Sequence, residues 1–234
     1  MIMRIKNDQI IYMAVLLIVE IYVALSQPWT IADVSDGFFG LGYADNIFFI
    51  MKTVFVAGII VFSGYGQSSR YVKGYGVCQL TRTKKREYVA GNVMLRQLVR
   101  AVKMSMVILI VHTVVSLITK EIKFSVMDIF YTGMFVLVMY SILLWQSILE
   151  LKIDERRSSI VVMCVFVFML YLDGERAFYG ISDKCMLALY VNMGFKGRMQ
   201  EVLLEKPLAA IVVIFIIAVQ CVMLSAIMKK KDIL

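Results

Sequence analysis

The chain has few of the residues that build metal centres, disulfide frameworks or interdomain linkers. It contains one histidine, four cysteines and two prolines among 234 residues. A metalloprotease working inside a membrane needs at least two ligands at helical spacing and a third elsewhere, so a single histidine argues against that class. The cysteines imply no disulfide framework, and no linker or low-complexity tract divides the sequence. We therefore expect one domain, residues 1–234, without catalytic residues or a metal site.

A phosphate-binding loop is also missing. The pattern G-x-x-x-x-G-K-[ST], whose backbone amides and lysine hold nucleotide phosphates, occurs nowhere in the sequence. The chain therefore binds no ATP by that route, and any ATP-driven work must come from another polypeptide. Nucleic acid is not expected as a partner either, because the net charge of +8 is not gathered in a folded basic domain.

Apolar residues are what the chain has in excess. They make up 61% of the sequence, and the mean hydropathy of +0.81 exceeds what a soluble domain of 234 residues could bury. Most of six apolar segments are near the ~20 residues that cross ~30 Å of hydrocarbon. We predict an all-α, polytopic membrane protein with six transmembrane helices, at residues 9–27, 46–66, 104–119, 128–149, 158–172 and 207–228.

Positive charge orients these segments in the membrane. Nine basic residues and a single acid, Glu87, lie between Gln67 and Lys103, which predicts a large cytoplasmic loop between the second and third spans. With both termini in the cytoplasm, the inner segments hold 17 Lys and Arg residues and the outer segments hold 7. The remaining one, Lys52, lies within the second span. We expect the basic residues near the spans to contact anionic lipid.

Three ionisable residues are predicted to lie inside the membrane at one depth: Glu20, Lys52 and His112. Each stands six or seven residues from the outer end of its span, which is roughly 9 to 11 Å. An unpaired charge in hydrocarbon is costly, so we expect Glu20 to pair with Lys52 and His112 to face the bundle interior. Two interpretations of this polar layer stay open, contact with cargo or a structural pair that keeps the helices in register.

Two Gly-Tyr-Gly tripeptides, at residues 64–66 and 74–76, are similar to the tripeptide of potassium filters. A filter belongs on a re-entrant loop reached from outside, whereas both copies stand at the predicted cytoplasmic end of a span. We expect the glycines to end the second span and to let the chain turn along the membrane surface.

The predicted outer segment, residues 173–206, contains an apolar stretch from Cys185 to Phe195 that is too short to span a membrane. It suits a re-entrant helix before the sixth span, with Gly194 and Gly197 able to turn the chain. It equally suits an amphipathic helix lying on the outer surface. Both interpretations stay open.

The stretch RYVKGYGVCQLTRTKKREYVAGNVM, residues 70–94, resembles the cytoplasmic loop between the second and third spans of type-two ABC exporter permeases. In that family a charged stretch runs into glycine, a short helix bearing leucine, then threonine, a basic cluster and Gly-Lys. The corresponding residues here are Gly74, Leu80, Thr81, Arg86 and Gly91. The sequence departs from the pattern where Arg70 and Lys73 replace an acid, Arg82 or Thr83 a proline, and Asn92 a lysine.

The resemblance implies a partner and an activity. It implies that residues 77–82 form a coupling helix seated in a groove of a separate ATPase subunit, which would bind ATP and Mg²⁺ while this chain binds no cofactor. It also implies pairing with a second permease copy or a related permease, and export of a peptide, such as a bacteriocin, or another amphipathic cargo from a bacterial cytoplasm. The residues assigned to the ATPase contact are Gly74, Val77, Leu80, Thr81, Arg82 and Arg86.

A physical argument for a partner stands beside the resemblance. A short helix with apolar Val77 and Leu80 framed by basic residues can insert an anchor into a groove while the charges orient it. The same segment also suits a basic interfacial helix on anionic lipid. The alternative function is a stand-alone membrane immunity or sensor protein that binds a peptide without transport.

Overall fold

The structure, a computed structural model, is all-helical over the residues that it describes, which confirms the predicted all-α class. The described residues are 14, 15, 17–19, 21, 22, 47–72, 86–119, 124–178, 190–201 and 206–230. The helices are α1 (Ile47–Gly64), α2 (Ser69–Val72), α3 (Arg86–Thr119), α4 (Val126–Lys152), α5 (Glu155–Phe178), α6 (Lys196–Glu201) and α7 (Lys206–Lys230). Residues 190–194 form a 3₁₀ turn before α6, and the described residues among 14–22 are helical.

Three helices in the described part of the chain are long and apolar enough to cross a membrane. They are Tyr88–Ile118, Val126–Lys152 and Pro207–Lys230, and Ile50–Gly64 is a shorter apolar helix. Pro207 lies in the first turn of α7, as predicted, where its missing N–H leaves no helical hydrogen bond unmade. By length and composition, these helices are compatible with a membrane protein.

The outward face of α7 shows why such a helix suits lipid. α7 buries Val213 and Leu224 against the bundle and exposes Phe215 and Val222 on the other side. A helix at a protein–water surface keeps its outer face polar, whereas α7 is apolar on both faces. The exposed apolar surface is therefore what a hydrocarbon environment requires.

The central helix is α4, which packs against α1, α2, α3, α5 and α7. Residues 138–144 are buried without interruption, because neighbours surround this part of α4 on all sides. The helix begins after Ser125, whose hydroxyl accepts a hydrogen bond from the Met127 amide at 3.3 Å. Asp128 in turn accepts from the Ser125 amide at 2.7 Å, which completes a reciprocal N-terminal cap.

A two-residue turn, Ile153 and Asp154, joins α4 to α5. The Ile153 amide donates to Leu149 O at 2.8 Å, and the Ser158 amide donates to Asp154 O at 2.9 Å. The first bond belongs to the last turn of α4 and the second to the first turn of α5, so the two helices follow each other directly. The start of α5 is thus placed directly beside the end of α4, in the interval between the spans predicted at residues 128–149 and 158–172.

The third apolar helix is much longer than predicted. We expected a short helix over residues 104–119, and this is wrong, because α3 runs unbroken for 34 residues from Arg86 to Thr119. Residues 89, 93, 97, 101 and 104 are buried, so the basic stretch before the predicted span is itself an amphipathic helix. At ~1.5 Å per residue α3 is about 51 Å long. Much of the predicted loop over residues 67–103 is therefore helical.

The segment before α6 lies inside the bundle. The Phe195 ring packs edge-on against Phe135 of α4 and Phe166 of α5, with centroid distances of 5.8 and 6.2 Å. The Asn192 side chain donates to Met169 O of α5 at 3.2 Å. Residues 190–197 are all buried, and α6 starts at residue 196, so Gly197 continues a helix and does not turn the chain.

Gly194→Val should push this segment away from α4. A Cβ at position 194 would lie 3.0 Å from Val138 Cβ, and the β-branched Val138 side chain has little freedom to move aside. We expect a destabilisation of ~1–3 kcal/mol, the usual cost of overpacking a core, measured as a lower thermal unfolding midpoint in detergent. Gly133→Val is the control, since a Cβ at Gly133 meets nothing within 4 Å. Equal unfolding midpoints for the two variants would contradict the packing described.

Candidate functional site

A buried carboxylate, Glu150, lies near the end of α4 where α1 ends and α5 begins. Its Oε1 accepts a hydrogen bond from the Gly66 amide at 2.8 Å, and its Oε2 accepts one from the Ser68 amide at 2.9 Å. Glu150 is 3% exposed, and a carboxylate so buried is costly unless it is hydrogen-bonded. Charge-assisted bonds of this kind are stronger than neutral ones. They attach the turn that follows α1 to α4.

Neighbouring side chains extend these bonds to α5. The Gln146 amide nitrogen lies 3.3 Å from Glu150 Oε1 and donates to Ser159 Oγ at 3.0 Å. The Ser69 hydroxyl donates to Glu155 Oε2 at 2.6 Å. The ends of α1 and α4 and the starts of α2 and α5 are thus joined by polar contacts at one corner of the bundle.

A neighbouring pair of hydrogen bonds, which includes Ser147 three residues before Glu150 on α4, reaches α3. The Gln97 amide nitrogen donates to Ser147 Oγ of α4 at 2.8 Å, and Arg100 Nη1 donates to Gln97 Oε1 at 3.2 Å. We call this set of residues the Glu150 cluster: Gly66, Ser68, Ser69, Gln97, Arg100, Gln146, Ser147, Glu150, Glu155 and Ser159. Five helices contribute to it or directly adjoin it, so it fixes their relative positions.

The first Gly-Tyr-Gly tripeptide forms the turn that Glu150 binds. Helix α1 ends at Gly64, and Gly66 has a φ of 68°, a backbone conformation that glycine adopts readily. A Cβ at Gly64 would come within 2.7 Å of a methyl group of Leu143, so this glycine also permits the close approach of α1 to α4. The prediction that the glycines end the second apolar segment and turn the chain is confirmed for residues 64–66, whereas residues 74–76 lie outside the described residues.

A second polar contact lies in the middle of α4, and we call it the Ser141 cluster. Ser141 Oγ lies 3.1 Å from Tyr190 Oη and 2.9 Å from Gln220 Oε1 of α7. Burial raises the pKa of the Tyr190 phenol above its usual value of 10.0, so the phenol is neutral at physiological pH. Within the described part of the chain, Gln220 Nε2 and Asn192 Oδ1 are buried without a hydrogen-bond partner. The cluster therefore has unused hydrogen-bonding capacity.

The predicted intramembrane residues lie on separate helices. Lys52 is 3% exposed on α1, and His112 is 1% exposed on α3, with its Nε2 3.4 Å from Ser116 Oγ. Helices α1 and α3 pack against each other. Glu20 lies outside the described residues, so its pairing with Lys52 stays a prediction.

The residues assigned to an ATPase contact fall almost entirely outside the described residues. These are Gly74, Val77, Leu80, Thr81 and Arg82, whereas Arg86 is the first residue of α3. In sequence, this segment therefore lies between the end of α2 and the start of α3. Among the residues the structure describes, no group of three His, Cys, Asp or Glu side chains could hold a metal ion.

The sequence prediction missed both polar clusters, although the sequence carried a signal for each. Gln146 and Glu150 stand four residues apart near the end of an apolar helix, and Gln220 is an amide in the apolar α7. Polar side chains on such helices are expected to face a partner, because leaving them unpaired in an apolar environment is costly. The partner of each could not be identified before the helices were placed.

Comparisons of the chain with known protein families, with curated proteins and with solved structures find no match. A function must therefore be argued from the residues themselves. The two polar clusters and the basic segment between α2 and α3 are the features that carry this argument.

Proposed function

We propose that the chain is the permease subunit of an ATP-driven ABC exporter in a bacterial cytoplasmic membrane. It has six spans with both termini in the cytoplasm, and it pairs with a second copy or a related permease. A separate ATPase binds ATP and Mg²⁺, and the pair of permeases moves a peptide or another amphipathic cargo outward. The observation that carries this proposal is the Glu150 cluster, which lies where the basic segment leaves and rejoins the bundle.

The cluster supports the transmission of movement from a partner to the bundle. Residues 73–85 connect α2 to α3, and both flanking regions are attached to α4. Before α2, the amides of Gly66 and Ser68 bind Glu150. After residue 85, α3 is attached to α4 through Gln97 and Ser147. A partner that displaced residues 73–85 would therefore move α2, α3 and α4 together, as alternating access by rigid helices requires.

The Ser141 cluster supports a cargo with both polar and apolar groups. It lies among α4, α7 and the buried residues 190–195, and aromatic and aliphatic side chains surround it. The unused Gln220 amide nitrogen can donate to a peptide carbonyl when the helices separate. In this proposal, residues 190–195 are part of a re-entrant segment that lines the path of the cargo.

The proposal is tested by co-purification of the ATPase with Leu80→Asp. In this proposal Leu80 is a buried anchor, and loss of such an anchor costs 2 kcal/mol or more, so the Kd of the ATPase complex should rise by about thirtyfold or more and ATPase recovery should fall. Gln79→Asp is the matched control, because it introduces the same charge one residue away at a polar position. The tagged chain is purified gently from its native membranes, and the ATPase is quantified per permease.

Each outcome of this experiment distinguishes the candidates. An ATPase near one-to-one with wild type and Gln79→Asp, and absent with Leu80→Asp, supports the exporter. No ATPase in any sample, with the permease intact, favours the stand-alone immunity or sensor protein. An ATPase equally abundant in all three samples contradicts the assignment of Leu80 as the anchor.

A further inference from the structure

Lys103 of α3 is an exposed cation on an apolar face of the helix. The other exposed side chains within about one turn of it are Val99, Val102 and Met106. A charge in apolar surroundings inside a membrane is costly unless another group compensates for it. The position of Lys103 along the bundle determines which groups can do so.

The level of Lys103 follows from a hydrogen bond between two helices. α3 and α4 follow each other closely in the chain and pack together, so they run antiparallel. Gln97 Nε2 donates to Ser147 Oγ at 2.8 Å, which places these two residues at one level. Lys103 stands six residues after Gln97, a rise of about 9 Å. It is therefore level with Ser141 in the middle of α4, and not with Glu150 near the end.

The exposed basic residues of α4 and α5 lie nearer the Glu150 end of the bundle. Gln146 Nε2 donates to Ser159 Oγ at 3.0 Å, which places Arg157 about level with residue 148 of α4. Lys152 is the last residue of α4. Both cations are exposed, and basic residues that flank spans mark the membrane surface. At ~1.5 Å per residue, Lys103 lies roughly 10 to 16 Å further into the bundle than these two residues.

The lysine side chain alone is too short to reach the surface from this depth. It extends about 6 Å from its Cα, whereas half of a hydrocarbon core is about 15 Å thick. The helices that α3 packs against carry no acid at this level, because α1 and α7 contain none and α4 has none between Asp128 and Glu150. Compensation for the charge of Lys103 must therefore come from outside the described helices.

The face around Lys103 favours lipid over a second helix. Helices that pack against each other in membranes approach closely through small residues. The small residues in this part of α3, Ala101 and Ser105, are buried inside the bundle, whereas Val102 and Met106 are exposed. Flexible acyl chains can cover such a face, and the phosphate groups of lipids supply negative charge.

We propose that Lys103 draws phospholipid headgroups and water inward along α3, so that the leaflet at the Glu150 end is thinner there than beside α4 and α5. The group that compensates for the lysine is a lipid phosphate. The stretch of α3 from Met104 to Thr119 has 16 residues without a charge, about 24 Å, and a bilayer thins around so short a stretch. This inference requires that the chain spans a membrane but is independent of the proposed transport function.

Quenching of a single tryptophan by brominated lipid measures the depth beside Lys103. Met106→Trp, combined with Trp29→Phe and Trp145→Phe, places the sole tryptophan one turn from Lys103 on the exposed face. The full chain is reconstituted in phosphatidylcholine brominated either near the headgroup or near the ends of the acyl chains. We expect bromine near the headgroup to quench at least about twofold more strongly, and Lys103→Leu to reverse this order, because the leaflet regains its full thickness.

Lys152→Leu is the matched control, since it removes an exposed lysine at the level of the membrane surface and should leave the order of quenching unchanged. Identical quenching with and without Lys103 would overturn the proposal. Weak quenching by both lipids in the presence of Lys103 would also overturn it, because a protein group, such as Glu20 or a second chain, would then cover the lysine.

A second measurement needs no tryptophan substitution. The thermal unfolding midpoints of wild type and Lys103→Leu are compared in phosphatidylcholine bilayers of increasing acyl-chain length. Wild type should be most stable in acyl chains shorter by about two carbon atoms or more than those that best stabilise Lys103→Leu. The same optimal chain length for both proteins would contradict local thinning.

Discussion

Glu150→Ala is expected to lower the thermal unfolding midpoint of the purified chain by about 5–15 °C, which corresponds to roughly 2–5 kcal/mol. The substitution leaves the amides of Gly66 and Ser68 without the acceptors that they have at 2.8 and 2.9 Å. A buried donor that loses its partner costs more than the net value of the bond, because it is not returned to water. Unfolding in a mild detergent, followed by tryptophan fluorescence, measures the change.

Two further variants separate the hydrogen bonds from other effects of the change. Glu150→Gln keeps one acceptor oxygen but turns an amide group toward the second donor, so its midpoint should fall between those of wild type and Glu150→Ala. Lys152→Ala, at an exposed position two residues away, should melt within about 2 °C of wild type, since exposed substitutions rarely exceed ~0.5 kcal/mol. If Glu150→Ala and Lys152→Ala have the same thermal unfolding midpoint, the cluster does not stabilise the bundle.

Gly66→Ala is expected to destabilise the chain by roughly 2–4 kcal/mol, because two costs add. The φ of 68° at this position is costly for any residue with a Cβ, by about 1–2 kcal/mol. The new Cβ would also lie 2.5 Å from Glu155 Oε2, so Glu155 must move and lose its hydrogen bond from Ser69. The measurement is the free energy of unfolding from denaturant titration in mixed micelles.

A glycine elsewhere in the chain provides the matched control. Gly133→Ala, inside helix α4 with nothing within 4 Å of the added Cβ, should be neutral or stabilising by up to ~1 kcal/mol. The double variant Gly66→Ala with Glu155→Ala removes the contact but keeps the backbone strain, so it should lose less than the separate effects combined. A Gly66→Ala protein as stable as Gly133→Ala would show that the turn can relax without the positive φ.

The positions of three long helices were predictable, because the length of an apolar segment is enough to locate such a helix. The segments predicted at residues 46–66, 128–149 and 207–228 correspond to α1, α4 and α7, with ends that agree within a few residues. The start of α3 was not predicted. Its first half is basic, and a criterion based on hydrophobic length cannot recognise an amphipathic helix that continues into an apolar one.

The polar clusters were less predictable than the helices. Lys52 and His112 were recognised because charged side chains are rare in apolar segments, and both are buried. Glu150 was not singled out, since it stands just after the span predicted at residues 128–149, where a carboxylate ordinarily meets water. Its burial depends on the turn at Gly66, which precedes it by 84 residues in sequence.

Composition and the length of the apolar segments determine that this chain is suited to a membrane, because a soluble domain of this size could not bury 61% hydrophobic residues. They also determine that it is helical, because a helix satisfies its own backbone hydrogen bonds in hydrocarbon. Charge along the chain also locates the basic segment between α2 and α3. Which polar groups meet depends on the tertiary structure, since a hydrogen bond needs its two atoms within about 3 Å and no local pattern reports that distance. For this reason Glu150 on the Gly66 turn and Ser141 beside Gln220 appear only once the helices are packed.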